Sequence, residues 1–210
     1  SIDYSRNGFG SKDVIRRGYG ANGAVEVPAD YDGDGRVDLA IKTIGGGWQI
    51  DYRADGFRGW QEDIRGFGGT ANKPVPADYD GDGKVDLAVR TPAGNWLVDQ
   101  SSTGGFAGID KNYADQIGRS GLPLPYDFDG DNKADFSVAH AQGYWFADLS
   151  NQAGSGFDIR LGGYGLVSAD SDLDLDGKSD LVSLTPDGLW LIDYSVGGFG
   201  EWDQTVNSFI

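Results

Sequence analysis

The feature that most restricts how this chain can fold is an internal repeat. Pro28-Ala-Asp-Tyr-Asp-Gly-Asp-Gly-Arg-Val-Asp-Leu-Ala40 returns 48 residues later as Pro76-Ala-Asp-Tyr-Asp-Gly-Asp-Gly-Lys-Val-Asp-Leu-Ala88, and two looser copies follow. The first aspartates of the four loops are Asp30, Asp78, Asp127 and Asp172, spaced by 48, 49 and 45 residues, and a tryptophan stands 18 residues after each, at Trp48, Trp96, Trp145 and Trp190. A period of about 40–50 residues means one supersecondary unit per repeat. Within the unit Val37, Leu39 and Ile41 alternate with Asp38, Ala40 and Lys42, and Trp48 to Tyr52 alternates in the same way, which is the period of a strand. No stretch of ten residues carries helical periodicity free of glycine or proline. Short strands at even spacing, with a glycine and aromatic motif in each unit, predict an all-β chain, a β-propeller built of about four blades of four antiparallel strands.

A tail follows each tryptophan: Ile50 to Phe57, Val98 to Phe106, Ala147 to Phe157 and Ile192 to Phe199. Ile2 to Phe9 is a fifth tail with no loop before it, so four loops and five tails make the chain start and end inside a unit. The units divide a single repeat domain of residues 1–210 at about 1–20 (a half unit), 21–68, 69–118, 119–165 and 166–210. The first residue is Ser1, and neither a signal peptide nor an apolar run of membrane-spanning length is present, which is expected of a processed piece of a longer product.

The loops have the pattern of a cation site. Aspartate occupies positions 1, 3, 5 and 9: Asp30, Asp32, Asp34 and Asp38; Asp78, Asp80, Asp82 and Asp86; Asp127, Asp129, Asp131 and Asp135; Asp172, Asp174, Asp176 and Asp180. Calcium takes six to eight oxygens at about 2.3–2.6 Å. Alternate residues of a tight loop aim carboxylates inward, and the backbone carbonyl of position 7 (Arg36, Lys84, Lys133 and Lys178) adds an oxygen. Position 6 needs a positive φ and is Gly35, Gly83, Asn132 and Gly177. Turn formation alone would explain one Asp-Gly-Asp-Gly, but four carboxylates per loop repel one another without a cation. The net charge of −16 points the same way: setting the 16 loop aspartates aside from 33 acidic residues leaves as many acids as there are lysines and arginines, 17. About four Ca2+ are expected. An EF-hand is excluded by its missing position-12 glutamate, where Ile41, Val89, Val138 and Ser183 stand instead.

The Asp-x-Asp-Gly-Asp-Gly-x-x-Asp loop followed by Leu-Ala-Val, with Gly-Tyr-Gly20, Gly-Phe-Gly68 and Gly-Tyr-Gly165 upstream of loops, resembles the FG-GAP/VCBS repeats of integrin-α-type β-propellers. The resemblance covers essentially the whole chain. It implies blades with calcium between the first two strands, and secreted or surface-exposed hosts. Ile117-Gly118-Arg119 and Leu175, at position 4 of the fourth loop, depart from the pattern.

An active site breaks a repeat, and little here does. His140 is the only histidine and stands where other units have Thr43, Thr91 and Thr185; a polar turn residue is the expected role. Gly18 to Gly23 matches a dinucleotide fingerprint but recurs as Gly66 to Ala71 and opens no helix. Asp3, Asp51, Asp99, Asp148 and Asp193 recur once per unit and read as structural. The acidic balance argues against nucleic acid and anionic membranes, and the zero cysteines leave no thiol chemistry. A non-catalytic secreted binding module is therefore expected, with a glycan or another extracellular ligand as partner and oligomerisation open to it. The alternatives are a protein-adhesion or spacer domain of a secreted hydrolase, and a polysaccharide lyase or glycoside hydrolase. The four repeat-locked tryptophans are expected to pack between blades. Tyr52, Trp60, Tyr194 and Trp202, framed by glycine and polar neighbours, are the candidate ligand-binding rings. Certain fungal lectins with similar loops bind sugars between blades, and the resemblance implies a lectin-like role.

Overall fold

The computed structural model describes residues 15, 20, 22–106, 108–114, 120–140, 143–150, 158–161, 166–168 and 172–207. The first tail (Ile2 to Phe9), the aromatic of Gly-Tyr-Gly20, Gly-Tyr-Gly165, Ile117-Gly118-Arg119 and Phe157 lie outside the described residues.

Among the described residues, sixteen strands form four separate four-stranded antiparallel sheets. The first contains β1 (Val25–Glu26), β2 (Leu39–Lys42), β3 (Trp48–Asp51) and β4 (Glu62–Ile64). The second contains β5 (Lys73–Pro74), β6 (Leu87–Arg90), β7 (Trp96–Asp99) and β8 (Lys111–Tyr113). The third contains β9 (Leu122–Pro123), β10 (Phe136–Ala139), β11 (Trp145–Asp148) and β12 (Ile159–Leu161). The fourth contains β13 (Leu166–Ser168), β14 (Leu181–Leu184), β15 (Leu189–Asp193) and β16 (Gln204–Asn207). Strands pair in chain order within each sheet, the up-and-down arrangement of a propeller blade. Among the described residues the helical segments are three-residue 3-10 turns, Arg53–Asp55, Ser101–Thr103 and Ser195–Gly197, and none could cross a membrane.

The hairpin between a blade's second and third strands repeats one design. Thr43, Thr91 and Thr185 hydroxyl oxygens accept from Gly47, Asn95 and Leu189 N–H at 3.0, 3.0 and 2.9 Å. His140 replaces this threonine in the third blade, and its Nδ1 lies 3.2 Å from the Ser120 hydroxyl. That is a turn residue's position, as the repeat alignment predicts.

The apolar core is distributed between sheets. Trp48 and Ile50 of the first blade, with Phe67 just after its last strand, pack with Leu87 and Val89 of the second. Trp96 and Val98 pack with Ala134, Phe136 and Val138 of the third, and Trp145 and Ala147 with Leu181 of the fourth. Tyr79 stacks on Phe136 across the junction of the second and third blades, with ring centroids 5.2 Å apart. Three of the four tryptophans are thus buried between blades, at no more than 4 % exposure. Trp190 departs from that expectation at 36 % exposed, because among the described residues no further sheet covers it.

The contrast is measurable. Trp96→Ala empties a closed inter-blade site and is expected to cost about 3–5 kcal/mol in urea unfolding. Trp190→Ala is expected to cost about 1 kcal/mol, the ordinary scale for a partly exposed position.

Candidate metal centres

Each Asp-rich loop connects the first and second strands of a blade, and its base is closed by backbone pairing. The N–H groups of Asp38, Asp86 and Asp135, at position 9, donate to the carbonyls of Ala29, Ala77 and Tyr126 at 2.8, 2.9 and 2.7 Å. The position-9 carboxylates are buried. One oxygen of each accepts from the N–H of position 2: Tyr31, Tyr79, Phe128 and Leu173, at 2.9, 2.8, 2.7 and 2.7 Å. The other accepts from an N–H just beyond the third strand: Arg53, Ser101, Ser150 and Ser195, at 2.8, 2.8, 2.6 and 3.0 Å. The carboxylate therefore ties the loop to the far side of its own blade. Position 2 adds an anchor in two loops, where the Tyr31 and Tyr79 hydroxyls donate to Val27 and Val75 carbonyls at 2.7 and 2.8 Å.

Position 1 organises the loop's turn. Asp30, Asp78 and Asp127 accept from the position-4 N–H of Gly33, Gly81 and Gly130 at 2.7, 2.6 and 2.6 Å. Their second oxygens, and that of Asp172, accept from position 6: Gly35, Gly83, Asn132 and Gly177, at 2.7, 2.9, 2.9 and 3.0 Å. Position 6 has positive φ in all four loops, 79° at Gly35 and 65° at Asn132 for example, as the sequence requires. Position 4 adopts the same region, including Leu175 at φ 64°.

The folding brings positions 1, 3 and 9 together. Asp30, Asp32 and Asp38 each offer an oxygen within 4.8 Å of the others, and so do Asp78, Asp80 and Asp86; Asp127, Asp129 and Asp135; and Asp172, Asp174 and Asp180. These four groups can hold metal ions. An anionic, all-oxygen donor set suits a hard cation rather than zinc or copper. Position 5 stands outside the groups. Asp82, Asp131 and Asp176 accept from the position-7 N–H of Lys84, Lys133 and Lys178 at 2.8, 2.9 and 2.9 Å. Their other oxygens accept from the hydroxyls of Ser101, Ser150 and Ser195 at 2.8, 2.7 and 3.0 Å. Asp34 instead lies 3.8 Å from the Arg36 guanidinium, since Arg53 stands where the other units have serine. These serines were missed from sequence, although their constant place five residues after each tryptophan was a usable signal.

Burial pushes the Asp86 and Asp135 carboxyls from the ordinary 3.8 up to about 7, backbone N–H donors lower them, and the like charges of positions 1 and 3 raise them further. Asp38 is raised as well, chiefly by burial. The per-unit aspartates at the end of the third strand are buried, as expected of structural residues: Asp51, Asp99 and Asp193 accept from Gly59, Gly108 and Gly200 N–H at 3.1, 2.9 and 3.1 Å. Burial also pushes Asp193 up to about 6.

Among the described residues, grooves lie between blades. One, of about 670 Å³, runs between the second and third loops and includes Asp78, Asp82, Asp127 and Lys133. Another, of about 520 Å³, separates the first and second blades at their outer strands and is lined by Glu62, Asp63, Arg65, Phe67, Phe106 and Ile109. The four candidate rings line neither groove. Tyr52 is half-buried against the first core with its hydroxyl 3.5 Å from Glu62, and Trp60 is half-buried in the same outer segment. Tyr194 donates to Gln204 Oε1 at 2.7 Å, and Trp202 packs against the core between the third and fourth blades.

Antiparallel four-stranded blades with a carboxylate cluster between the first two strands define a β-propeller with Asp-rich loops. The FG-GAP-like repeat profile matches residues 30–89 and 78–138, more than half of the chain, and the chain belongs to this family. No curated protein sequence matches it. Among solved structures it is similar to an Agrocybe aegerita lectin that specifically recognises non-reducing terminal N-acetylglucosamine, with a TM-score of 0.59 and 17% identity over 87% of this chain and 51% of the lectin. It is also similar to the C-terminal WD40 domain of Sif2, with a TM-score of 0.52 and 12% identity over 92% of this chain and 49% of that one. The chain thus spans about half the length of each.

A carboxyl whose pKa rises on folding holds its proton more tightly in the folded chain, so it favours folding when protonated and costs stability once ionised. In chelator, stability is therefore expected to fall as pH rises from about 4 to about 7, between the unfolded value and the folded value of Asp86 and Asp135. A cation should remove most of that loss. Melting temperatures from pH 4 to pH 8, with and without calcium, check both arms.

Proposed function

We propose that this chain is a calcium-loaded, non-catalytic carbohydrate-binding module of a secreted or extracellular protein. The observation that carries the reading is the repetition of one oxygen-only aspartate cluster in four blades of a propeller similar to that of a sugar-binding lectin. In each loop the aspartates at positions 1, 3 and 9 supply the clustered oxygens. Positions 5 and 7 complete the set by carboxylate and carbonyl as the sequence predicts, directly or through water. Calcium here is structural. It neutralises buried like charges and fixes the loop that closes each blade, so the ligand is met by protein surface rather than by the ion.

The groove between the first two blades supports a glycan as that ligand. Glu62, Asp63 and Arg65 offer charged hydrogen-bonding groups beside Phe67, Phe106 and Ile109. That mixture matches a sugar ring, which has hydroxyl edges and an apolar face. Tyr52 and Trp60 flank the outer strand on the first blade, and Tyr194 and Trp202 occupy the corresponding region of the fourth, where they offer further ring surface.

Two outcomes are expected. Calcium at a hundredfold excess over Kd should stabilise the fold by about 2.7 kcal/mol per occupied site, so chelation should lower Tm and titration calorimetry should count about four ions. On a glycan array the calcium-loaded chain should bind a defined sugar class, and Arg65→Ala should weaken that binding about tenfold by removing a charged hydrogen bond. Four bound ions with no retained glycan would leave the calcium assignment standing and refute the carbohydrate one.

A further inference from the structure

The four Asp-rich loops share one aspartate pattern but not one tether. The residue five places after the tryptophan is Arg53 in the first blade and Ser101, Ser150 and Ser195 in the others. Each serine meets two carboxylates of its loop at once. Its N–H donates to position 9 (Asp86, Asp135, Asp180) at 2.8, 2.6 and 3.0 Å. Its hydroxyl donates to position 5 (Asp82, Asp131, Asp176) at 2.8, 2.7 and 3.0 Å. One residue outside the loop thus sets the relation between two of its carboxylates. The other oxygen of position 5 accepts from the position-7 N–H, so both oxygens are held, while a carboxylate with about four lone-pair sites keeps capacity for an ion.

The first blade keeps half of this device. Arg53 N–H donates to Asp38 at 2.8 Å, so its backbone arrives where the serines arrive, and what the blade lacks is the hydroxyl. No hydroxyl or backbone N–H donates to the Asp34 carboxylate among the described residues. It lies 3.8 Å from the Arg36 guanidinium, an exposed pair that water screens. Arginine in place of serine also puts a positive charge on the residue bonded to Asp38, and like charge disfavours a cation nearby. The second blade departs in the opposite direction. There the Ser102 hydroxyl donates to Asp80 at position 3, whereas the first and fourth blades have Ala54 and Val196, with no polar side chain, at that place. Among the described residues, hydroxyls therefore hold two loop carboxylates in the second blade, one each in the third and fourth, and none in the first.

We infer that the four calcium sites are unequal: the first-blade loop is a weak, exchangeable site, the other three hold their ions more tightly, and the second is the tightest. The inference rests on the calcium reading proposed above. Its physical basis is preorganisation. An ion entering the second, third or fourth loop finds position 5 already fixed on donors from the far side of the blade. An ion entering the first must immobilise Asp34 itself, beside a residue of its own sign. Partners that orient a metal ligand in this way are worth about 10–100-fold in affinity, so the first site is expected to bind about tenfold more weakly than the third and fourth. Over that range of free calcium three of the four loops stay filled while the first exchanges its ion, and the first blade alone responds to a change in calcium. Ser101, Ser102, Ser150 and Ser195 are then positioning residues, since they act on the ion through the aspartates.

Equilibrium dialysis of the calcium-loaded chain against buffers of stepped free calcium tests this, with bound calcium counted by atomic emission. The wild-type chain is expected to lose one ion of the four in an early step, at a free calcium about tenfold higher than the next loss. Arg53→Ser supplies the missing hydroxyl and should merge that early step with the later ones. Ser150→Ala should move a second ion into the early step, and Ser150→Thr, which keeps the hydroxyl, should return it. Circular dichroism in saturating calcium checks that each variant folds. A serine with a merely structural role would change the melting temperature without moving an ion between steps. Loss of all four ions in a single step from the wild-type chain would overturn the inference and leave the calcium reading standing. An early step that survives Arg53→Ser, or that Ser150→Ala leaves at one ion, would overturn it too. A chain that binds no calcium would remove both.

Discussion

A carboxylate buried at the base of each loop is the interaction on which the rest of the blade depends. Asp38, Asp86 and Asp135 are withdrawn from water, which disfavours the charged form unless the charge is met by donors or a cation. Two backbone N–H groups meet part of it, one from the loop itself and one from the segment after the third strand. The same carboxylate therefore fixes the loop's turn and holds the third strand's exit against it. Positions 1 and 3 bring further negative charge to within 4.8 Å, so the donors that stabilise one aspartate do not relieve the cluster. A divalent cation relieves all three at once. Fold closure and cation affinity become one property of the loop.

That local clamp propagates because the blades have no private cores. Trp48 lies on the first blade but is buried by Leu87 and Val89 of the second, and Trp96 is buried by Phe136 and Val138 of the third. Stability in such an array is a sum of unit and neighbour terms. The Val85, Ala134 and Ser179 N–H groups donate to the Asp30, Asp78 and Asp127 carbonyls, so each Asp-rich loop rests against the next. An ion that orders one loop also fixes the carbonyl or the donor on which its neighbour leans.

The strands and the loops were legible in the sequence because each rests on local periodicity. Val37, Leu39 and Ile41 alternate by a rule that needs no partner, and the placement of aspartate at positions 1, 3 and 9 survives folding as a cluster. What sequence left unread depended on neighbours. Trp190 carries the same repeat signature as Trp48, but its burial is decided by whether another sheet lies against it. The turn from position 5 towards Ser101, Ser150 and Ser195 depends on a segment 19 residues away, and only the folded blade brings the two together. Leu175 reads as a departure from the motif, yet it adopts the left-handed φ of its glycine counterparts, so the loop's hydrogen bonding overrides the residue's own preference.

Where the blades differ is as informative as where they agree. The second and third strands carry the inter-blade cores and repeat their pattern closely, Leu-Ala-Ile-Lys and Leu-Ala-Val-Arg in the second strands of the first two blades, Trp-Gln-Ile-Asp and Trp-Leu-Val-Asp in the third. The fourth strands of the first three blades each pack a residue against the core, Ile64, Tyr113 and Ile159, and their remaining positions vary. The fourth strands read Glu-Asp-Ile in the first blade, Lys-Asn-Tyr in the second, Ile-Arg-Leu in the third and Gln-Thr-Val-Asn in the fourth. The first is acidic, the second and third each carry one basic residue and the fourth is uncharged, while the backbone pairing is kept. An aspartate cluster repeated in every blade cannot distinguish one blade from another; these outer strands can. The groove beside Glu62, Asp63 and Arg65 is therefore not one of four equivalent sites. A ligand recognised there is recognised by side chains that the repeat leaves unconstrained, on a frame that the loops hold still.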